Sequence, residues 1–101
     1  MELAELQDKA VDAASILKAM SNESRLLILC NLAEGEKSVG ELQGCVGLSQ
    51  SALSQHLSLL RRENVVKTRR NSQSIYYSLN SEPVREIMNT LYDYFCGPNA
   101  K

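Results

Sequence analysis

The sequence predicts a mainly α-helical domain with one two-stranded β-hairpin, in the order ααααββα. Over most of the chain, apolar residues recur at spacings of three and four, as in amphipathic helices. Between residues 74 and 79 they alternate instead, as in a strand. Two short helical segments flank Gly47, which is typical of a helix-turn-helix. Because there is no linker or internal repeat, the 101 residues predict a single domain over 1–101.

The first two helices are predicted over residues 3–20 and about 23–34. Either Ser21 or Asn22 can cap the second helix, and Gly35 ends it. The first helix carries a narrow apolar seam of the kind found between paired helices: Leu3, Leu6, Ala10, Ala13, Leu17 and Met20. Such a seam on a small domain favours pairing with a second copy of the chain.

The third and fourth helices form the helix-turn-helix candidate. Residues 38–41 read Ser-Val-Gly-Glu, the pattern of a capping box, so a short helix is expected from there to about Val46. Ser49 can cap the fourth helix, which reaches about Glu63. The buried face of this fourth helix is predicted by its leucine spacing: Leu53, Leu57 and Leu60.

The remainder of the chain is predicted to form the hairpin and a last helix. The strands cover residues 65–70 and 74–79, with a polar turn at 71–73. Asn80 or Ser81 caps the last helix, and Pro83 suits its first turn. Apolar residues keep helical spacing up to Gly97: Val84, Ile87, Met88, Leu91, Tyr94 and Phe95.

The charge of the chain is unevenly distributed, although the net charge is only −1. Residues 1–41 hold eight acidic and four basic residues, whereas residues 42–81 hold five basic residues and one acidic residue. A basic segment between acidic ones predicts a local anionic partner.

The polar residues of the fourth helix are short and lie opposite its leucines. Serine lets a backbone approach a duplex closely, and glutamine can bond adenine in two places. Arginine pairs at the helix end and near the hairpin tip would meet phosphates. The predicted DNA-binding residues are Ser49, Gln50, Ser51, Ser54, Gln55, His56, Arg61, Arg62, Arg69 and Arg70. For His56, the only histidine, a half-buried structural position is an open alternative.

Neither catalysis nor membrane association is expected. The sequence has no glycine-rich phosphate loop, no nucleophile–base pair and no cluster of metal ligands, so an enzyme is not predicted and no cofactor is expected. No apolar run approaches the ~20 residues needed to cross a bilayer. The N-terminal segment is acidic and unlike a signal peptide, so a cytoplasmic protein is expected.

The stretch ELQGCVGLSQSALSQHLSLLRRENVV, followed by TRRNSQSIYYSL, resembles the winged-helix core of the ArsR-type bacterial transcriptional repressors. The resemblance covers nearly the whole chain, and LSQSALSQHL is its most specific part. It implies a winged helix-turn-helix and a homodimer paired through the first and last helices. It also implies binding to palindromic double-stranded operator DNA, which ends when an inducer arrives.

The inducer is suggested by the cysteines. Metal-sensing members of the family carry Cys-x-Cys in the third helix, but here Gln43 stands at the first position and only Cys45 remains. A metal site needs three or four ligands, which makes a metal-responsive repressor the less favoured alternative. A non-enzymatic antirepressor or protein-interaction module is a further alternative, although the arginine pairs argue against loss of DNA binding.

Cys30 and Cys96 resemble in position the two sensing thiols of the subgroup typified by BigR, SqrR and HlyU. That resemblance implies a redox-sensing pair that responds to persulfides, polysulfides or related oxidants, with no role assigned to Cys45. The residues themselves leave open that both thiols are core packing, since free cysteine is often buried. Neither thiol has a basic neighbour in sequence, so any activating group would have to come from the fold.

Overall fold

The computed structural model describes residues 1–98, and there it consists of five helices and one antiparallel sheet. The elements are α1 Leu3–Met20, α2 Glu23–Ala33, β1 Lys37–Ser38, α3 Val39–Val46, α4 Gln50–Arg62, β2 Val66–Asn71, β3 Ser74–Leu79 and α5 Glu82–Cys96. The mainly helical class and the helix order are therefore confirmed. The last three residues of the domain expected over 1–101 lie outside the described residues.

Side chains cap four of the five helices, at positions that the sequence allowed. Asn22 accepts a hydrogen bond from the Arg25 N–H at 3.0 Å, and Ser49 and Ser81 act in the same way at α4 and α5. At α3, Ser38 and Glu41 form the reciprocal capping box. These bonds satisfy amide groups that the first helical turn leaves unpaired.

The sheet has one more strand than the sequence predicted. The expected hairpin is present, with pairing from Val66 opposite Leu79 to Asn71 opposite Ser74. In addition, Lys37 and Ser38 of β1 pair with β3, so the strand order is β1-β3-β2. The predicted hairpin is confirmed, and β1 adds a strand that the sequence did not indicate, because two residues are too few to show the alternation that marks a strand.

The core is aliphatic and lies between α2, α3, α4, the sheet and the first half of α5. The predicted leucine face of α4 is buried, with relative exposures of 0–2%. Helix α1 contributes only its last two residues, Ala19 and Met20. Its seam is open from Leu3 to Leu17, with Leu3 69% exposed, whereas the last seam residue, Met20, is buried. The end of α5 is also open, since Phe95 is 66% exposed. One chain thus leaves apolar surface uncovered on both terminal helices. No helix within residues 1–98 is long and apolar enough to cross a membrane.

Candidate DNA-binding surface and thiol pair

The polar residues of α4 form a continuous exposed strip that begins at its N-terminus. Gly47, which ends α3, has a left-handed backbone with φ of 67°, so the chain turns sharply between the two helices. The buried leucines fix the rotation of α4, and the strip lies on the opposite side of the helix. Its members are Ser49, Gln50, Ser51, Ser54, Gln55 and Ser58.

Positive charge is placed at the end of this strip. Arg61 and Arg62 occupy the last turn of α4, where cations are stabilised by the helix dipole, and both are exposed. Within residues 1–98 neither forms an ion pair, and the same is true of Arg70. These three guanidinium groups are available to an anionic partner.

His56 lies behind the strip instead of on it. It is half-buried, and its Nδ1 atom lies 3.5 Å from Nη1 of Arg25. The same arginine donates from Nε to the Ala19 carbonyl at 2.6 Å and from Nη2 to the Lys18 carbonyl at 3.2 Å. Of the two roles that the sequence left open for His56, this geometry favours the structural one. Arg25, which sequence reasoning did not single out, joins the end of α1 to α4.

The hairpin formed by β2 and β3, called the wing, carries two arginines, Arg69 and Arg70, which lie in different surroundings. Arg69 donates from Nε and Nη2 to the two carboxylate oxygens of Glu36, each at 2.7 Å, and its guanidinium carbon is 4.6 Å from the ring centre of Tyr76. These hydrogen bonds lower the pKa of Glu36 and raise the pKa of Arg69. Arg70 lies opposite Ile75 in the hairpin and is exposed.

Cys30 and Cys96 are brought to one groove between α2 and α5. Cys30 is half-buried, Cys96 is exposed, and both are free thiols. The groove has a volume of about 510 Å³ and is lined by Glu23, Leu26, Leu27, Cys30, Met88, Leu91, Tyr92, Phe95 and Cys96. Its lining is almost entirely apolar and includes no basic residue. Cys45 is exposed on α3 and does not line this groove.

The end of α5 is set by Gly97. Its N–H bonds to the Asp93 carbonyl at 3.1 Å, and a Cβ atom at this position would collide with that carbonyl oxygen. Any larger residue would therefore displace the last turn, which carries Cys96. Among residues 1–98, no three or more His, Cys, Asp and Glu side chains are grouped so that they could hold a metal ion.

An exposed polar helix in a helix-turn-helix, flanked by a basic hairpin, defines the chain as a winged-helix DNA-binding protein. Residues 22–68 match the model of the arsR family of bacterial regulatory proteins. Over 99 residues the chain is 46% identical to the transcriptional activator HlyU of Vibrio cholerae, covering 98% of this chain and 92% of that protein. It is 41% identical over 92 residues to the biofilm growth-associated repressor of Xylella fastidiosa, covering 91% and 81%.

Solved structures agree with this assignment. Reduced HlyU from Vibrio cholerae superposes with a TM-score of 0.89 at 47% identity, covering 93% of this chain and 99% of that one. The transcriptional repressor BigR from Xylella fastidiosa superposes with a TM-score of 0.84 at 41% identity, covering 95% and 98%. The chain belongs to the arsR family of bacterial transcriptional regulators. It is a regulator and not an enzyme.

Proposed function

We propose that this regulator is a homodimer that binds palindromic operator DNA and senses reactive sulfur species, or related oxidants, through Cys30 and Cys96. Bridging of the two thiols releases the DNA. One observation carries the proposal: the thiols come from helices distant in sequence, yet both line one apolar groove. The single domain both dimerises and binds DNA.

The DNA-binding part of the proposal rests on the exposed strip of α4. A major groove admits one helix, and Gln50 and Gln55 are long enough to reach base edges while the serines permit close approach. Arg61, Arg62 and Arg70 meet the flanking phosphates, which contributes affinity without sequence preference. Arg69 reaches the backbone from the same wing.

The dimer part rests on the uncovered apolar surface. Helix α1 exposes its seam, and the second half of α5 exposes Tyr92, Tyr94 and Phe95. Burying each such side chain is worth about 1.5–3 kcal/mol, so a second copy is the simplest cover. Helix α5 therefore belongs to both the dimer contact and the thiol groove.

The chemistry of the bridge follows from the geometry of packed helices. Helix axes lie about 8–10 Å apart, whereas a disulfide needs Cα atoms within about 7 Å. Each inserted sulfur lengthens the bridge by up to about 2 Å. Two thiols attack two persulfide molecules, which gives two protein persulfides and two small thiols. The protein persulfides then condense to a trisulfide and release one hydrogen sulfide. The two cysteine sulfurs together lose two electrons, one donated sulfur is reduced and leaves as hydrogen sulfide, and the other donated sulfur stays as the middle atom of the bridge.

The bridge couples to DNA through the elements that it joins. Cys96 ends α5, a dimer helix, whereas Cys30 lies in α2, which packs on α3 of the helix-turn-helix. Drawing these helices together changes the spacing of the two recognition helices in the dimer. The bridge regulates because its two states then differ in affinity for DNA. One of the relatives is named an activator and another a repressor. Release of DNA would end the effect of either kind of regulator, since an activator of this kind can act by displacing another repressor from the DNA.

The test compares the wild type with Cys30→Ser and Cys96→Ser, and uses Cys45→Ser as the matched control. Each protein is treated with a persulfide donor, and its intact mass and its affinity for a duplex that the wild type selects are measured. We expect the wild type and Cys45→Ser to gain an internal bridge and release DNA. Both other variants should stay bound. Release by either of those two, or loss of the response in Cys45→Ser alone, would show that the pair is wrong.

A further inference from the structure

The Glu36 carboxylate forms an ion pair with Arg69 of the wing. This ion pair affects how Arg69 can interact with DNA. Glu36 directly precedes β1, and β1 pairs with the same strand, β3, that pairs with β2. The pairing of β1 with β3 brings Glu36 beside Arg69, although the two residues are 33 positions apart. The ion pair is partly shielded, since the Glu36 side chain is 32% exposed and that of Arg69 is 53% exposed.

The ion pair with Glu36 uses two of the five N–H donors of the Arg69 guanidinium. Arginine has five N–H donors, and Glu36 takes one from Nε and one from Nη2. The two Nη1 donors and the second Nη2 donor are directed away from the carboxylate. One face of the group lies over Tyr76, which limits its rotation. Arg69 is thus a fixed donor whose charge is neutralised by its neighbour.

This arrangement affects specific and random DNA differently. Affinity for random duplex comes almost entirely from net positive charge that displaces counterions, and a neutralised arginine adds little to it. A specific complex brings the backbone to one fixed position, where oriented donors form hydrogen bonds to a phosphate oxygen. Pre-orientation reduces the entropy lost when that contact forms.

We propose that Glu36 is a specificity-determining residue, which neutralises Arg69 toward random DNA while orienting its free donors for one phosphate of the operator. The inference rests on the proposed DNA binding by α4 and the wing. It adds an acidic residue, outside the predicted DNA-binding set, to the determinants of sequence preference.

The test is Glu36→Gln, which removes the charge and keeps an oxygen that can accept a hydrogen bond. Binding is measured between 50 and 200 mM salt, on a random-sequence duplex and on a duplex that the wild type selects from a random library. For random DNA we expect the salt slope to steepen by about 0.9, a roughly threefold larger loss of affinity over this range. The preference for the selected duplex should fall.

Two controls separate this role from a general charge effect. Glu34→Gln makes the same change of net charge two residues away, at a side chain that is 73% exposed and pairs with Lys37 at 3.8 Å. In an Arg69→Gln background, Glu36→Gln should no longer steepen the slope. Equal changes of the salt slope in Glu36→Gln and Glu34→Gln would overturn the inference about Glu36 and leave the proposed DNA binding intact. An undiminished effect of Glu36→Gln in the Arg69→Gln background would do the same. A wild type that binds no duplex would overturn the proposed DNA binding as well.

Discussion

At the scale of single residues, the buried and exposed sides of α4 differ in the length of their side chains. Three leucines of α4 are buried in the core, and on the other side the residues around Gln55 are short serines. In the proposed complex, these serines let a base edge reach Gln55. A duplex contact of this kind carries sequence information, whereas an arginine–phosphate contact does not. The strip and the wing should therefore fail differently when they are changed.

Gln55→Ala should relax sequence preference, with a loss of about 1–3 kcal/mol on the selected duplex and little change on random DNA. The comparison variant is Arg70→Ala, which removes an exposed and unpaired cation. It should weaken all sequences similarly and reduce the salt slope by about one unit. Fluorescence anisotropy titrations on both duplexes measure this. Equal losses on specific and random DNA from both variants would contradict the assigned division between helix and wing.

Residue-level contacts within one helix could be predicted, and those between distant segments could not. The leucine spacing of residues 53–60 defines the buried side of α4 and thereby its exposed strip. Nothing local marks Arg25 as a partner of His56, 31 positions away. The same holds for Glu36 and Arg69, since charged residues in a sequence do not show which opposite charge the fold brings near.

At the scale of elements, Ser38 belongs to two structures at once. It is the last residue of β1 and the N-cap of α3, so the wing sheet and the helix-turn-helix meet at one residue. The capping box was recognisable because its four residues are contiguous. The strand was not, because its partner Tyr76 lies far along the chain. Helices and hairpin could thus be predicted from the sequence, but the connection between them could not.

Ser38→Ala should destabilise the fold by about 1 kcal/mol at pH 7, through loss of the N-cap. Hydrogen bonds from the Ser38 backbone N–H and hydroxyl lower the pKa of Glu41 below its ordinary value of 4.5. A lowered folded-state pKa adds stability above pH 4.5, and this is lost as the pH falls through the folded value. Ser38→Ala keeps the backbone N–H bond and loses only the part due to the hydroxyl, so the variant should differ somewhat less from wild type at pH 3.

Urea unfolding at pH 7 and pH 3 measures this difference, with Ser58→Ala as the control. Ser58 is exposed within α4 and caps no helix, so its replacement should change stability by less than about 0.5 kcal/mol. If the cost of Ser38→Ala were unchanged at pH 3, the Ser38 hydroxyl would have no part in lowering the pKa of the Glu41 carboxylate.

At the scale of the whole molecule, the two terminal helices, α1 and α5, carry apolar surface that a single chain leaves uncovered. Helix α1 meets the core through Ile16, Ala19 and Met20, and the rest of its seam, from Leu3 to Leu17, faces outward. Leu91 in the middle of α5 lines both the thiol groove and a second hollow of about 290 Å³ with Pro83, Glu86, Ile87 and Thr90. Sequence periodicity identified these apolar faces, but it could not show which of them the chain covers itself.

Leu91→Arg should convert the proposed dimer to a monomer and reduce operator affinity about tenfold, because it places an unpaired charge in the proposed apolar contact. Asp93→Asn is the control, since it makes the same change of net charge on an exposed α5 residue outside both hollows. Sedimentation velocity and duplex titration report the two effects. A Leu91→Arg variant that sediments as a dimer would place the interface elsewhere.

The position of Cys96 as the last residue of α5 has a kinetic consequence. The final turn of a helix opens at very small free-energy cost, and chain ends move within nanoseconds to microseconds. Thiol exchange takes seconds to hours. Motion of the Cys96 sulfur at the end of α5 is therefore much faster than bond formation. Under the proposed mechanism, the speed of the response is then set by the concentration and reactivity of the sulfur donor.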